Sequence, residues 1–200
     1  SAGGMLPDEV DKYILEAKDK LASEDIGNFK LGFHGHENLS LGSACALSAV
    51  QSGVDIIDGS LHGIGRSIGN SPIETLAMIL SKAGYSINVD PWQLADLAQK
   101  TVKPYLENRW RNSSIEQALG FKEIHSSYLD VIMQFSDEKS ISARDLILSL
   151  PKKANISVSG KDMDYAFRKL KSRRLQPCKN IEIDASVERE IQLSDPSLNQ

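Results

Sequence analysis

Val10, Ile14, Ala17 and Leu21 recur at helical spacing behind Pro7, which predicts an amphipathic helix over roughly residues 7–23. The segment from Phe29 to His36 then reads as a short strand. Small and apolar residues from Leu41 to Val50 predict a second helix, closed by Gly53. Val54 to Asp58 is short and mostly apolar, as buried parallel strands are. A glycine-rich loop from Gly59 to Gly69 leads to Ser71-Pro72-Ile73-Glu74, a capping-box pattern with proline at the first helical position. That box predicts a helix ending near Gly84, and Asp90-Pro91 opens another that Pro104 interrupts. This alternation predicts right-handed βαβ units, a parallel sheet and an α/β fold class. From residue 113 onward the pattern changes to mainly helices, at about 125–136, at 142–150 behind Ser142, and at 161–174. A polar tail, expected to be partly disordered, closes the sequence over 176–200. Two strands cannot form a sheet that needs cover on both faces, so its completion is expected from residues outside this sequence or from another chain.

Composition narrows the function classes. The 200 residues are 40% hydrophobic and 25% charged, with a net charge of -4, as in a soluble globular protein with a real core. Mild acidity argues against nucleic acid, whose phosphates call for a basic surface. No apolar run approaches the ~20 residues of a membrane span, and the opening Ser-Ala-Gly-Gly-Met carries no signal-peptide pattern. Cys45 and Cys178 lie far apart and outside any CxxC, so reduced thiols and a cytoplasmic location are expected.

His34-Gly35-His36 is the sharpest chemical feature. Residues i and i+2 of a strand point to one face, so both imidazoles project together at its C-terminal end. Such a pair suits a divalent ion, Mn2+, Co2+ or Zn2+, while two hydrogen-bonded histidines remain the plainer alternative. Glu37 should face away as a solvated acid, and Asn38 should cap the next helix. The loop Gly63-Ile64-Gly65-Arg66-Ser67-Ile68-Gly69-Asn70 has GxGxxxG spacing, which is not the dinucleotide fingerprint. Its backbone N–H groups could receive a carboxylate or phosphate, Asn70 could add an amide oxygen to a hard metal, and Arg66 reads as a surface charge unless it meets a substrate carboxylate. Asp58 ends a strand, as either a site residue or a hydrogen-bond acceptor for the loop. His62 reads as solvated. His125 opens a helix and is a candidate acid/base, with nothing local to fix that role. The cluster Arg168, Lys169, Lys171, Arg173, Arg174 suits a helix C-terminus, and Trp92 and Trp110 read as packing residues.

Taken together, His34-Gly-His36-Glu-Asn-Leu-Ser-Leu-Gly42, Val54-Asp-Ile-Ile-Asp58-Gly-Ser-Leu61 and the stretch Gly63 to Asn70 resemble the HMG-CoA-lyase-like metal-dependent barrels. That family includes isopropylmalate synthases and 4-hydroxy-2-oxovalerate aldolases. The first stretch, Ser126-Ser127-Tyr128-Leu129 and the opening residues are most similar to the aldolases. The resemblance covers roughly residues 1–150, is strong over 32–76 and loose beyond 110.

The resemblance implies the C-terminal part of a (β/α)8 TIM barrel over residues 1–112 and a small helical region over 113–175. His34 and His36, on the sixth strand, would bind metal, with Asn70 after the seventh as a further ligand. Gly65, Arg66 and Gly69 would contact substrate. Mn2+ is the first choice of ion, with Co2+, Mg2+ or Zn2+ as alternates. The implied reaction cleaves a 4-hydroxy-2-oxo acid to pyruvate and an aldehyde, the metal acting as Lewis acid on the 2-oxo acid. The family's third metal ligand and an enolate-steadying arginine come from a first strand that would lie upstream of Ser1. His125 stands where the aldolases have tyrosine, which puts the exact substrate in question. An acylating aldehyde dehydrogenase docking on the helical region and a homo-oligomer are further expectations. Two rival readings are a Claisen-type acyltransferase and a non-catalytic half-barrel interaction domain.

Overall fold

The computed structural model describes residues 3–25, 27, 29–106, 113–151 and 157–172. The polar tail 176–200, Cys178, Trp110, Arg173 and Arg174 lie outside these residues, as do Ser1 and Ala2. Helix α1 (Pro7–Ser23) opens on its proline, with the Leu6 N–H donating to Glu9 Oε2 at 2.8 Å. It is followed by β1 (Gly32–His34), α2 (Gly42–Gln51), β2 (Ile56–Asp58), α3 (Ile73–Lys82) and α4 (Pro91–Thr101). Asp90 caps α4 by accepting the Trp92 and Gln93 N–H groups at 2.8 and 3.3 Å.

The two strands pair in parallel, with Gly32 opposite Ile56, Phe33 opposite Ile57 and His34 opposite Asp58. They are shorter than expected. At one end the Asp55 carboxylate takes the Leu31 N–H at 2.9 Å, and past the other end pairing continues as isolated bridges, His36 with Asn70 and Ser60 with Pro72. Alternation then divides the residues between two faces. Phe33 and Ile57 pack with Leu31 and Val54 against Val10, Ile14, Cys45 and Ala49 from α1 and α2. Gly32, His34, Ile56 and Asp58 occupy the other face, where Ile56 is 47% exposed.

A second cluster forms among α5 (Ser114–Phe121), α6 (Leu129–Glu138), α7 (Ala143–Ser149) and α8 (Gly160–Ser172). Leu119, Ile132, Leu146 and Ile147 are fully buried there, each worth about 1.5–3 kcal/mol of transfer from water. Helix α7 begins behind Ser142, whose hydroxyl accepts the Asp145 N–H at 3.3 Å. The sequence pattern did not reveal α5, because Ile115, Ala118 and Leu119 give only one apolar turn in a helix of 8 residues.

The capping box expected at Ser71 and Glu74 does not form. Ser71, fully buried, takes part in strand-like pairing through its N–H to the Gly35 carbonyl at 3.0 Å. Glu74 turns outward from its own helix end to accept the His62 N–H at 3.1 Å. Two tertiary partners outcompete the local motif.

Candidate functional site

The strand geometry brings the two imidazoles together. His34 Nε2 and His36 Nε2 lie 3.3 Å apart, with the rings edge to face at a centroid distance of 5.1 Å. Two nitrogens each about 2.0–2.1 Å from one ion in tetrahedral arrangement stand just over 3 Å apart, so the separation fits a shared divalent cation as well as the direct N–H···N hydrogen bond of the plainer alternative. Among the described residues, no group of three or more His, Cys, Asp or Glu side chains could hold an ion. The described residues therefore bring two imidazoles together without a third His, Cys, Asp or Glu side chain placed to share an ion with them. His34 Nδ1 lies 3.7 Å from Asp58 Oδ2, which the parallel register sets directly opposite. At that distance the carboxylate stands beside the ring, just beyond hydrogen-bond reach. Register is a non-local property, and the sequence left Asp58 undecided for that reason.

Backbone pairing fixes where His36 sits. Glu37 N–H donates to the Gly69 carbonyl at 3.0 Å and Ser71 N–H to the Gly35 carbonyl at 3.0 Å, on either side of the His36–Asn70 bridge. Gly35 is needed between the histidines, because a Cβ there would fall 2.9 Å from Ser71 Oγ and 3.0 Å from the Phe33 ring. Glu37 is not a solvated acid. The chain reverses at Ser40, in the left-handed region at φ +57°, and swings the start of α2 onto the Glu37 carboxylate. That group accepts Gly42 N–H, Ser43 N–H and Ser43 Oγ–H at 3.1, 2.9 and 2.7 Å. Glu37 thus caps α2, the role expected of Asn38, and its charge is favoured at that helix end.

Asn70 stands directly across from His36, which puts both side chains on one face. Its amide nitrogen donates to the Ile64 carbonyl at 3.1 Å, so its amide oxygen is the pole suited to a hard cation. Arg66 is exposed on the loop. Gly69 is engaged on both sides, its N–H with the Arg66 carbonyl at 3.1 Å and its carbonyl with Glu37. Gly65 packs so closely on Asn70 that a Cβ would lie 2.8 Å from that amide. His62, at φ +55°, is held against buried Glu74 and is not the solvated residue expected. His125 caps the turn Ser126–Tyr128, its Nδ1 accepting the Ser127 N–H at 3.1 Å. Trp92 is 71% exposed, so the expectation that it packs fails.

Burial holds the His36 imidazole below its ordinary value of 6.5, helped by the positive potential of His34 and His125 and opposed by the Gly69 carbonyl. The neutral ring, which is the ligating form, therefore persists below that pH. Between the ordinary and the depressed value the unfolded chain binds more protons at this residue than the folded one. Folding stability accordingly falls as pH drops through 6.5 and gains nothing from His36 above it. Mn2+ affinity is expected to be flat with respect to His36 above 6.5 and to decline only below it, which calorimetric titration at several pH values checks. Buried Cys45 is a contrast: burial pushes its thiol up to about 11, and it donates to the Met5 carbonyl at 3.2 Å as an inert packing group.

A family model described as HMGL-like matches residues 1–101 of the 200. Over 156 residues the chain is 35% identical to a 4-hydroxy-2-oxovalerate aldolase of Marinomonas sp. (strain MWYL1), covering 78% of this chain and 45% of that protein. Over 178 residues it is 32% identical to 4-hydroxy-2-oxovalerate aldolase 3 of Burkholderia lata, covering 88% and 50%. The chain spans about half the length of the curated relatives it matches. Among solved structures, the N-terminal domain of a Bacteroides vulgatus protein classed as an aldolase matches with a TM-score of 0.57 and 29% identity, covering 69% of this chain and 44% of that one. The carboxyl transferase domain of Rhizobium etli pyruvate carboxylase with pyruvate also has a TM-score of 0.57, at 14% identity over 85% and 30% of the two chains. The second likeness concerns the fold alone, and both neighbours are α/β domains.

Proposed function

The chain belongs to the HMGL-like family, and on that premise we propose that it supplies part of the metal site of a divalent-metal-dependent aldolase acting on 4-hydroxy-2-oxo acids. The observation that carries this reading is the 3.3 Å convergence of His34 and His36 at the C-terminal end of a parallel strand, where barrel enzymes build their sites. The two-stranded sheet is then the C-terminal part of a (β/α)8 TIM barrel. Residues 1–112 form its share, with 113–175 as the attached helical region and 176–200 as a tail.

His34 and His36 hold the ion, Mn2+ in the first instance, with Asn70 adding an amide oxygen. When bound, a divalent cation supplies Lewis acidity to the carbonyl of the 2-oxo acid. Asp58 stands beside His34. Arg66 receives the substrate carboxylate, and Gly65 and Gly69 shape its loop. Because Nδ1 of His125 accepts the Ser127 N–H, the proton of the neutral ring sits on Nε2, and we assign that proton to the reacting oxygen or carbon. The parent protein works in the cytoplasm as a homo-oligomer, and its helical region is the docking surface for an acylating aldehyde dehydrogenase. Among the described residues no helix is long and apolar enough to cross a membrane.

The test is an assay of the whole protein that carries this chain. The expected result is Mn2+-dependent release of pyruvate from 4-hydroxy-2-oxovalerate without CoA. Release of free CoA thiol from an acyl-CoA and a 2-oxo acid would establish the Claisen-type acyltransferase instead. Neither activity, with Mn2+ bound, would point to the interaction-domain reading.

A further inference from the structure

Asn38 lies two residues past His36 and is 3% exposed. Its amide nitrogen donates to Ser67 Oγ and to the Glu116 carbonyl, both at 2.9 Å. An amide nitrogen has two hydrogens, so its donor capacity is filled by partners 29 and 78 residues away. The backbone around this side chain is reduced to glycine. A Cβ on Gly3 would lie 2.8 Å from Asn38, and one on Gly120 would lie 2.7 Å from it. A Cβ on Gly4 would run into the Gly120 carbonyl. Leu39 N–H reaches the Gly3 carbonyl at 3.2 Å.

Four segments therefore meet on one buried amide: the opening loop, the loop after His36, the glycine loop before Asn70, and α5. The last belongs to a different hydrophobic cluster, since Leu119 beside Gly120 sits in the core of α5–α8. The side chains that line the first cluster all come from residues 5–57. Among the described residues, no buried apolar residue is shared between the two clusters. Apolar packing alone would leave two units free to open separately. A polar joint with both of its hydrogens committed resists that, because opening it gives up two buried hydrogen bonds at once.

We propose that Asn38 is a positioning residue that locks the α5–α8 cluster to the loop carrying His36, so that the two open and close as one unit and His36 is held at its ligating position. The second half of this statement rests on the metal reading; the lock itself does not.

Hydrogen exchange on the 200-residue chain tests the lock, and Mn2+ titration tests its consequence. The variants are Asn38→Ala, Asn38→Asp and Gly120→Ala, with Ile132→Val as a comparison that loosens only the helical core. Asn38→Ala and Gly120→Ala are expected to lower protection together over 36–42, 63–71 and 114–121, by about tenfold or more. Both should weaken Mn2+ binding by about tenfold, a change that Ile132→Val should not cause. Asn38→Asp keeps the shape but has no hydrogen for the Glu116 carbonyl, so it should loosen 114–121 where a space-filling role would leave that helix unchanged. Wild-type protection over 114–121 in Asn38→Ala overturns the lock, as does an equal loosening of all three segments in Ile132→Val. Lowered protection with unchanged Mn2+ affinity overturns the positioning role. If the unsubstituted chain binds no Mn2+, the two histidines do not hold the ion without the rest of its ligand set, and the exchange pattern alone then supports or overturns the lock.

Discussion

Replacing His34 and His36 together by alanine is expected to abolish Mn2+ binding, and either single change to weaken it by more than about 100-fold. Losing a partner behind a ligand already costs about 10–100-fold, and losing a ligand removes a bond outright. Stability should barely change. His34 is exposed and His36 only half-buried, and truncation removes two imidazoles whose charged forms oppose one another. Affinity and stability thus separate, which ordinary misfolding would not allow. Calorimetric titration with Mn2+ beside thermal melts of each variant makes the comparison. His62→Ala serves as a control, because His62 is turned toward Glu74. Unchanged binding in the double variant would remove the histidine pair from the metal site.

Gly69→Ala is expected to destabilise the chain by about 2–4 kcal/mol and to weaken Mn2+ binding with it. The residue sits at φ +115° and a Cβ there would run into the Gly63 carbonyl. A non-glycine residue so placed costs about 1–3 kcal/mol in backbone strain. Relieving the clash would also release the 3.1 Å bond from Asn70 N–H to that same carbonyl, for about 1 kcal/mol more. With it goes the support for the Asn70 side of the His36 bridge. Gly84→Ala is the internal comparison, because Gly84 has φ +90° but nothing within 4 Å of the added Cβ. It should cost only about 1–2 kcal/mol. Thermal unfolding of both variants checks the difference, and equal melting temperatures would show that the Gly63 contact is readily relieved.

Those two expectations differ in how much of their basis lay in the sequence. The histidine pair was visible because strand alternation is a local rule, and i, i+2 spacing carries it without help from the rest of the chain. The helices behind Asp90 and Ser142 were visible for a similar reason, since a cap and its helix are neighbours in sequence. Gly69 is visible in the sequence as a glycine in a rich loop. Its engagement with Arg66, Glu37 and the Gly63 carbonyl needs the loop to be closed. Helix α5 went unseen because one apolar turn has almost no periodicity to detect.

Polar side chains were the least legible. Local rules make Glu37 a solvated acid, yet it caps α2; they make Asn38 that cap, yet it joins Ser67 to Glu116. They make Glu74 close its own helix, yet it holds His62. Each has several acceptable local partners, and hydrogen bonds of similar strength leave the choice to whichever partner burial enforces.

The sequence by itself determined most of the helices, the alternation of helix and strand up to α3 and the shared face of His34 and His36, because these follow from backbone period and steric preference over a few residues. Only the tertiary structure decided that Asp58 stands behind His34, that Asn70 faces His36, and that Asn38 ties the helical cluster to their loop. Those pairings join residues 24, 34 and 78 positions apart, and no local preference can select a partner at that distance before the chain has folded.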